Sequence, residues 1–121
     1  MRDDKKESNV ILEKSMEFAV RIVKLSKYLQ NEHNEYTLSK QILRSGTSIG
    51  ANIREAVYGQ SRNDFISKMS ISLKEVSETE YWLELLMRTE YITNEQYESI
   101  RTDCSEIAKL LTTIVKNSKT K

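Results

Sequence analysis

Two stretches near the middle of the chain read SGTSIGANIREA (residues 45–56) and SLKEVSETEYWLELL (residues 72–86), and their spacing predicts helices. In the first stretch Ser48, Asn52 and Glu55 recur at i, i+4 and i+7, so they share one face of a helix. The apolar face beside it is formed by Ile42, Ile49, Ile53 and Ala56. In the second stretch charged residues also return every three or four positions. Each helix therefore combines an apolar face with a polar stripe.

Length and composition favour a single all-α domain. The chain has 121 residues, and a core of that size buries roughly two thirds of the unfolded surface. We therefore expect one domain over residues 1–121. The chain contains no proline and only three glycines. Because proline and glycine interrupt helices and populate turns, their scarcity favours long helices over a sheet with many turns.

Heptad-like spacing of apolar residues predicts four helices, over residues 9–30, 38–58, 62–90 and 94–117. Thr37, Ser61 and Thr93 are placed to cap the second, third and fourth helices. Gly59 is placed to end the second helix in a left-handed conformation. Short connectors force neighbouring helices to run in opposite directions. The expected fold is an antiparallel up-down-up-down four-helix bundle.

The sequence contains no recognisable catalytic or cofactor-binding pattern. Cys104 lies on the apolar line of the last helix, where a buried free thiol is expected, and His33 lies in a polar connector, where a solvated imidazole is expected. No further metal donors with short spacing accompany His33, and no Gly-rich phosphate loop is present. We therefore expect no enzymatic activity, no metal, no cofactor and no small-molecule substrate.

The chain also has no membrane-targeting pattern. No apolar run reaches the roughly 18 to 20 residues that cross a bilayer, and the charged start is not followed by an apolar segment typical of a signal peptide. We expect no membrane association and a cytoplasmic location.

A tight turn near Gly59 joins helices two and three. Residues that are equally far from this turn along the two helices are therefore predicted to lie side by side. The predicted pairs are Ser48 with Ser72, Arg44 with Glu75, Gln41 with Thr79, Lys40 with Glu80, and Lys68 with Asn52 or Glu55. One interpretation is that this polar stripe fixes the register between the two helices. The other is that it forms a groove for a nucleic acid or a protein. That groove would consist of Ser48, Asn52, Glu55, Lys74 and Glu78.

Helix three carries more apolar surface than one bundle seam buries. Residues 81–87 read YWLELLM and are apolar around nearly the whole helix. Such a surplus indicates either a wide core stripe or a partner surface, and we predict self-association through Trp82 and Leu85. Helix one adds Leu12, Ala19 and Val23 on a second apolar face. Gly46 and Gly50 each cost a helix about 1 kcal/mol relative to alanine, so we expect another backbone to pack closely against them.

The two central motifs, Ser48-Ile49-x-x-Asn52-Ile53-x-Glu55 and Lys74-Glu75-x-x-Glu78-x-x-Tyr81, resemble the four-helix-bundle family encoded by intervening sequences of the bacterial 23S rRNA gene. The resemblance covers about residues 10–115. The motif positions that carry it are Ser48, Asn52, Glu55, Lys74, Glu75, Glu78 and Tyr81. One departure is Glu55-Ala56, where the family commonly has Glu-Gly. The resemblance implies a helical bundle that contacts RNA or the ribosome.

A related accessory protein of diversity-generating retroelements forms a five-membered ring. The resemblance therefore implies a homopentamer, and it also implies binding to nucleic acid and to a reverse transcriptase, which is a nucleic-acid-handling protein.

The charge balance limits how strongly one subunit can bind nucleic acid. The net charge is only +1, whereas a domain that tracks phosphates is usually strongly basic. The best local candidates are the tail lysines Lys109, Lys116, Lys119 and Lys121, although basic residues at a helix C-terminus also complement its dipole. We predict an oligomeric nucleic-acid-associated accessory protein that binds structured RNA. The alternative is an oligomeric protein-binding scaffold without nucleic acid.

Overall fold

The computed structural model describes residues 2–119, with side chains from residue 6 onward, and all its regular structure is helical. Four helices follow one another: α1 (Arg2–His33), α2 (Leu38–Val57), α3 (Arg62–Arg88) and α4 (Asn94–Lys119). No strand occurs within these residues. The prediction of an all-α, four-helix chain is confirmed. None of the four helices combines the length and the apolar content needed to cross a membrane.

Helix α1 is longer at both ends than the sequence pattern predicted. No proline or glycine occurs in residues 2–8, so nothing breaks the helix before the predicted start near Asn9. At the other end the helix continues to His33, and it stops at Asn34, whose φ of 53° is left-handed. Asparagine tolerates this conformation better than most residues because its short polar side chain bonds locally.

The first connector provides the N-terminal cap of α2 from an unexpected residue. Thr37 stands at the cap position but makes no side-chain cap hydrogen bond. Instead the Glu35 carboxylate accepts a hydrogen bond from the Ser39 backbone N–H at 2.9 Å. An acidic group here also complements the positive end of the helix dipole. The prediction that Thr37 caps the helix was therefore wrong.

The turn between α2 and α3 uses Gly59 for space. No described glycine has a positive φ, so the predicted left-handed helix end at Gly59 was wrong. A Cβ atom at this position would lie 2.5 Å from the Asp64 carboxylate oxygen and 3.0 Å from the carbonyl oxygen of Glu55, so a side chain here would displace Asp64 and require a small shift of the backbone. Ser61 then caps α3 as predicted, because its hydroxyl accepts a hydrogen bond from the Asp64 N–H at 3.1 Å.

The start of α4 is a reciprocal capping box. The Thr93 hydroxyl accepts a hydrogen bond from the Gln96 N–H at 3.1 Å, and the Gln96 side-chain oxygen accepts one from the Thr93 N–H at 2.8 Å. Both bonds satisfy backbone donors that the helix leaves unpaired. This predicted cap is confirmed. Helix α3 ends two residues earlier than predicted, and Glu90 in the following turn has a φ of 67°.

A shared apolar core holds the four helices together. Within the described residues, the backbone of α1 packs close to those of α2 and α4, and the backbone of α3 packs close to the same two helices, while the backbones of the diagonal pairs lie further apart. The core contains residues from every helix, including Phe18, Ile49, Leu83 and Leu111, each at most 2% exposed. Burying such side chains stabilises a fold by about 1.5–3 kcal/mol each. The arrangement of neighbouring helices fixes which face of each helix is turned outward.

Candidate interaction surfaces

Buried hydroxyl groups join α2 to α3. Ser72 Oγ donates a hydrogen bond to the carbonyl oxygen of Ile49 at 2.8 Å. Thr79 Oγ1 donates to the carbonyl of Glu75 at 2.7 Å and lies 2.9 Å from Ser45 Oγ. Ser45, Ser72 and Thr79 are fully buried. Because buried polar groups need partners, these bonds fix how the two helices are rotated against each other.

The structure corrects two predicted pairs of this interface. Ser48 does not pair with Ser72, since its hydroxyl donates within α2 to the carbonyl oxygen of Arg44 at 2.7 Å. Gln41 is exposed and does not meet Thr79, which contacts another residue of α2. The helices are rotated so that their fully buried small residues face each other, which leaves Ser48 half-buried at the edge. The heights of the contacts along the two helices follow distance from the turn as predicted, but the apolar seam sets the rotation, so that Ser45 and not Ser48 faces α3.

One predicted charge pair is present. Lys68 was predicted to pair with either Glu55 or Asn52. Its Nζ atom lies 3.9 Å from Glu55 Oε1. The other alternative, Asn52, donates its amide to the carbonyl oxygen of Ser48 at 2.9 Å. Ser48 and Asn52 thus bond mainly to their own helix. The polar stripe of α2 therefore contributes a single ion pair to the contact with α3.

Arg44 and Glu75 influence each other without forming an ion pair within 4 Å among the described side chains. Burial raises the pKa of the Glu75 carboxyl, and the neighbouring Glu78 raises it further, while Arg44 lowers it. The net effect on the pKa is upward. Glu75 therefore lies in a partly apolar and locally acidic environment that Arg44 compensates only in part.

The predicted pair of Lys40 with Glu80 is wrong because Glu80 lies on the α4 side of α3. Burial raises the pKa of the Cys104 thiol to about 12, with Glu80 the next cause. Burial also raises the pKa of the Tyr97 hydroxyl, followed by Glu84 and, more weakly, other charges that include Glu80. Cys104 and Tyr97 both belong to α4. Glu80 therefore cannot reach Lys40 on α2.

The α3 stripe is a row of half-exposed side chains at spacings of three and four. It consists of Ile71, Glu75, Glu78, Trp82 and Leu85. Trp82 Nε1 donates to Glu78 Oε2 at 3.3 Å, and its ring packs edge-to-face on Tyr81 at 5.0 Å. Trp82 also contacts the core, while Tyr81 is 61% exposed. The predicted interface residues Trp82 and Leu85 are thus half-buried in the single chain.

The predicted five-residue groove, Ser48, Asn52, Glu55, Lys74 and Glu78, stays a prediction, because the hydrogen bonds of Ser48, Asn52 and Glu78 lie within their own helices. Ser48, Asn52 and Glu55 lie together on α2, and Glu78 lies on α3 against Trp82. Lys74 is exposed and forms no ion pair with any described side chain. The motif positions therefore divide between the helix contact and the outer surface. Their role in binding stays a prediction.

A second apolar surface lies between α1 and α2. The α1–α2 groove has a volume of about 390 Å³ and is lined by Leu12, Ser15, Met16, Ala19, Thr47, Gly50, Ala51, Arg54 and Glu55. Met16 is 46% exposed and Val20, one turn further along α1, is 48% exposed. The sequence indicated the α1 side of this surface through Leu12 and Ala19. It did not indicate the α2 side, because Thr47 and Ala51 lie outside the apolar pattern of that helix.

The predicted nucleic-acid contacts occupy the end of α4. Lys109, Lys116 and Lys119 are exposed, and none of them forms an ion pair with a described carboxylate. Lys121 lies outside the described residues. Arg62, at the start of α3, donates to the carbonyl oxygen of Ser118 at 3.3 Å and adds a cation to this end. Sequence reasoning missed Arg62 because it is remote from the tail along the chain.

The two residues with catalytic potential have structural surroundings. Cys104 is fully buried, and its Sγ lies 3.9 Å from the carbonyl oxygen of Val76. His33 is exposed as predicted, but its ring packs edge-to-face on Tyr28 and Tyr91, and its Nε2 lies 3.2 Å from the Tyr28 hydroxyl. Among the described residues no three His, Cys, Asp or Glu side chains are grouped to hold a metal ion.

Comparisons with known proteins agree with this architecture. The protein-family model described as 23S rRNA-intervening sequence protein matches residues 7–113. A crystal structure from Bacteroides thetaiotaomicron VPI-5482, described as a protein with unknown function from the S23 ribosomal protein family, shares 68% sequence identity at a TM-score of 0.90. The match covers 91% of this chain and 98% of that chain. No curated protein matches the chain.

Proposed function

The chain belongs to the 23S rRNA-intervening sequence protein family, and from this membership we propose that it is a non-enzymatic accessory protein that binds structured RNA as a homo-oligomer. The proposed assembly is a ring of antiparallel up-down-up-down bundles, with a pentamer favoured by the resemblance to the retroelement accessory protein. The family description refers to 23S rRNA, so rRNA is the proposed RNA class. We propose a cytoplasmic location and no cofactor or small-molecule substrate.

The observation that supports RNA binding is the exposed basic end of the bundle. Lys109, Lys116 and Lys119 form no ion pair with a described carboxylate, and Arg62 lies at the same end. Lysines that are not paired with a described carboxylate are available to phosphates, whose neutralisation releases counterions and favours binding. The lysines supply positive charge for the phosphates and no side chains that would distinguish one base from another. The proposed recognition is therefore of RNA shape and backbone.

A ring explains how a nearly neutral chain holds RNA. With a net charge of +1, one subunit offers few phosphate contacts. In an assembly the basic end is repeated, and each further contact forms at a high effective concentration. Affinity is then expected to depend on assembly as much as on any single lysine.

The proposed direction of the helices has support from the contacts between α2 and α3. Glu55, late in α2, pairs with Lys68, early in α3. Ser45, earlier in α2, meets Thr79, later in α3. Partner numbers therefore rise along one helix as they fall along the other, which is the pattern of an antiparallel pair.

RNA retention at different salt concentrations tests this proposal. Replacing Lys109, Lys116 and Lys119 with Glu is expected to lower the affinity for a structured 23S rRNA fragment by at least tenfold at about 50 mM salt, and to reduce the salt slope by up to about 0.9 per lost contact. The matched control replaces Lys24, Lys27 and Lys74 with Glu. These lysines are equally exposed but lie away from the basic end, so affinity is expected to fall less.

The alternative function is a protein-binding scaffold without nucleic acid. It is favoured by the exposed aromatic side chain of Tyr81, beside the half-buried Trp82. Wild-type protein that retains no RNA at about 50 mM salt would replace the RNA proposal with this one. Equal losses in the tail variant and its control would instead move the RNA contact away from the end of α4.

A further inference from the structure

We infer that the copies of this chain bind through two unlike surfaces, with the α1–α2 groove of one copy receiving the α3 stripe of the next. The inference rests on the proposed oligomer and specifies its interface. The partner is therefore a second copy of the same chain. Three properties of the two surfaces support it: their apolar content, their charges and their positions on the bundle.

The α1–α2 groove has the composition of a helix-docking surface. Its floor consists of small or apolar residues, with Ala19 on α1 and Thr47 and Ala51 on α2. Small residues allow a neighbouring helix to approach closely, and Met16 at the rim has a flexible side chain that adapts to a partner. Met16 and Val20 are nearly half exposed in the single chain. Covering them removes apolar surface from water.

The α3 stripe supplies the apolar side of the contact. Ile71, Trp82 and Leu85 lie at spacings that place them in line along one helix. Ile71 is 38% exposed, and Trp82 and Leu85 are half-buried. A partly exposed row that includes a tryptophan is typical of an interface, since large aromatic side chains concentrate binding energy.

The groove is lined by one cation and one carboxylate, Arg54 and Glu55, whereas the stripe carries two carboxylates, Glu75 and Glu78. Arg54 lines the groove, is exposed and forms no ion pair with a described side chain. Its neighbour Glu55 is already paired with Lys68. On the stripe, Glu78 lies close enough to Glu75 to raise the pKa of the Glu75 carboxyl, in addition to the effect of burial, while Arg44 of the same chain compensates only in part. A cation from a second copy would relieve that repulsion, and Arg54 is placed to supply it.

The positions of the two surfaces on the bundle determine the symmetry of the proposed oligomer. The groove uses the α1 side of α2, whereas the stripe is on α3, so one copy presents both surfaces at once. A contact between unlike surfaces leaves one of each kind free in every dimer. Such a contact therefore propagates, and it closes into a ring when the rotation between copies allows. Contact between two identical surfaces would stop at a dimer.

Charge exchange in the full-length chain tests the contact. Arg54→Glu alone, and Glu75→Lys with Glu78→Lys, are each expected to lower the mass measured by light scattering from that of the oligomer toward the 14.1 kDa of one chain. Combining all three substitutions in one chain is expected to restore the oligomer, because the charges are again opposite. Circular dichroism checks that each variant remains helical.

The controls are Lys24→Glu for the single change, and Glu95→Lys with Glu98→Lys for the double change. These exposed residues lie outside both surfaces, so the oligomer is expected to persist. A wild-type mass of 14.1 kDa would overturn the proposed oligomer together with its interface. A wild-type oligomer that survives the charge reversals, or that the triple variant does not recover, would overturn the interface alone.

Cross-linking separates unlike from identical contacts. When a chain carrying Ala51→Cys is co-expressed with one carrying Ile71→Cys, a short bis-maleimide is expected to join the two kinds of chain and to join neither kind to itself. Cys104 does not interfere because it is fully buried and its thiol has a pKa of about 12. Cross-links within either variant expressed alone, without cross-links between the two, would contradict the inference.

Discussion

At the scale of single residues, the surroundings of Cys104 determine the protonation state of its thiol. Its thiol is fully buried beside the carbonyl oxygen of Val76. Burial in apolar surroundings disfavours the thiolate, and the carboxylates of Glu80 and Asp103 act in the same direction. The pKa therefore rises to about 12. The residue contributes packing to the core and offers no nucleophile.

This shift in pKa predicts how stability depends on pH. Because the folded pKa of about 12 lies above the unfolded value, the unfolded chain loses the thiol proton first. The stabilising contribution is fully present below about pH 8.5 and is lost between that pH and about 12, at up to about 1.4 kcal/mol per pH unit. Urea unfolding at pH 8 and pH 10 measures it, with Cys104→Ala as the reference.

The wild-type chain is expected to lose more stability than Cys104→Ala across that interval, because alanine has no proton to lose. Other groups that titrate there, including Tyr97, are present in both proteins and cancel in the comparison. Equal losses in the two proteins would show that the thiol is not buried in the way described.

At the scale of helices, the contact of α1 with α2 depends on two glycines that differ in their surroundings. A Cβ atom on Gly46 would lie 2.8 Å from two side-chain carbons of Ile22. At Gly50 the nearest atom would be Ser15 Oγ at 3.3 Å, with the Ser15 carbonyl oxygen at 3.4 Å. The backbone of α1 thus packs near Gly50, as the sequence predicted, whereas at Gly46 a branched side chain fills the space.

These distances predict different outcomes for two identical substitutions. Gly46→Ala forces Ile22 to move, which costs about 1–3 kcal/mol, and after the gain in helix propensity of about 1 kcal/mol a net destabilisation of up to about 2 kcal/mol is expected. Gly50→Ala needs a shift of only tenths of an ångström and is expected to be near neutral. Urea midpoints of both variants measure the difference. If Gly46→Ala is as stable as Gly50→Ala, the tight packing described at Gly46 is wrong.

At the scale of helices, the sequence predicts correctly those interactions whose partners are close together along the chain. The Thr93–Gln96 capping box and the Ser61 cap depend on residues three apart, so the pattern contains the whole interaction. The pairing of α2 with α3 depends on how both helices rotate to bury Ser45 and Ser72. A count of residues from the turn does not include that rotation. The prediction that Ser48 pairs with Ser72 therefore failed.

The same limit applies to the candidate surfaces. The tail lysines were predicted because they follow one another along α4, but Arg62 joins them only through the fold. The α3 stripe was predicted in part through Trp82 and Leu85. The α1–α2 groove needs two helices side by side, so its α2 residues gave no signal in the sequence.

At the scale of the whole molecule, the two proposed uses of the surface occupy different places. The groove and the stripe lie along the sides of the bundle, and the exposed lysines lie toward the C-terminal end of α4. Assembly through the sides leaves the basic ends free and repeats them around the ring. A chain with a net charge of +1 then presents several clusters of cations to one RNA.

The central claim is that the chain assembles and that the assembly holds RNA. Native mass spectrometry of the full-length protein with a structured 23S rRNA fragment measures both in one spectrum. We expect the dominant species to contain five chains of 14.1 kDa each together with one RNA molecule. A spectrum of single chains, or of an oligomer that carries no RNA, would contradict the account.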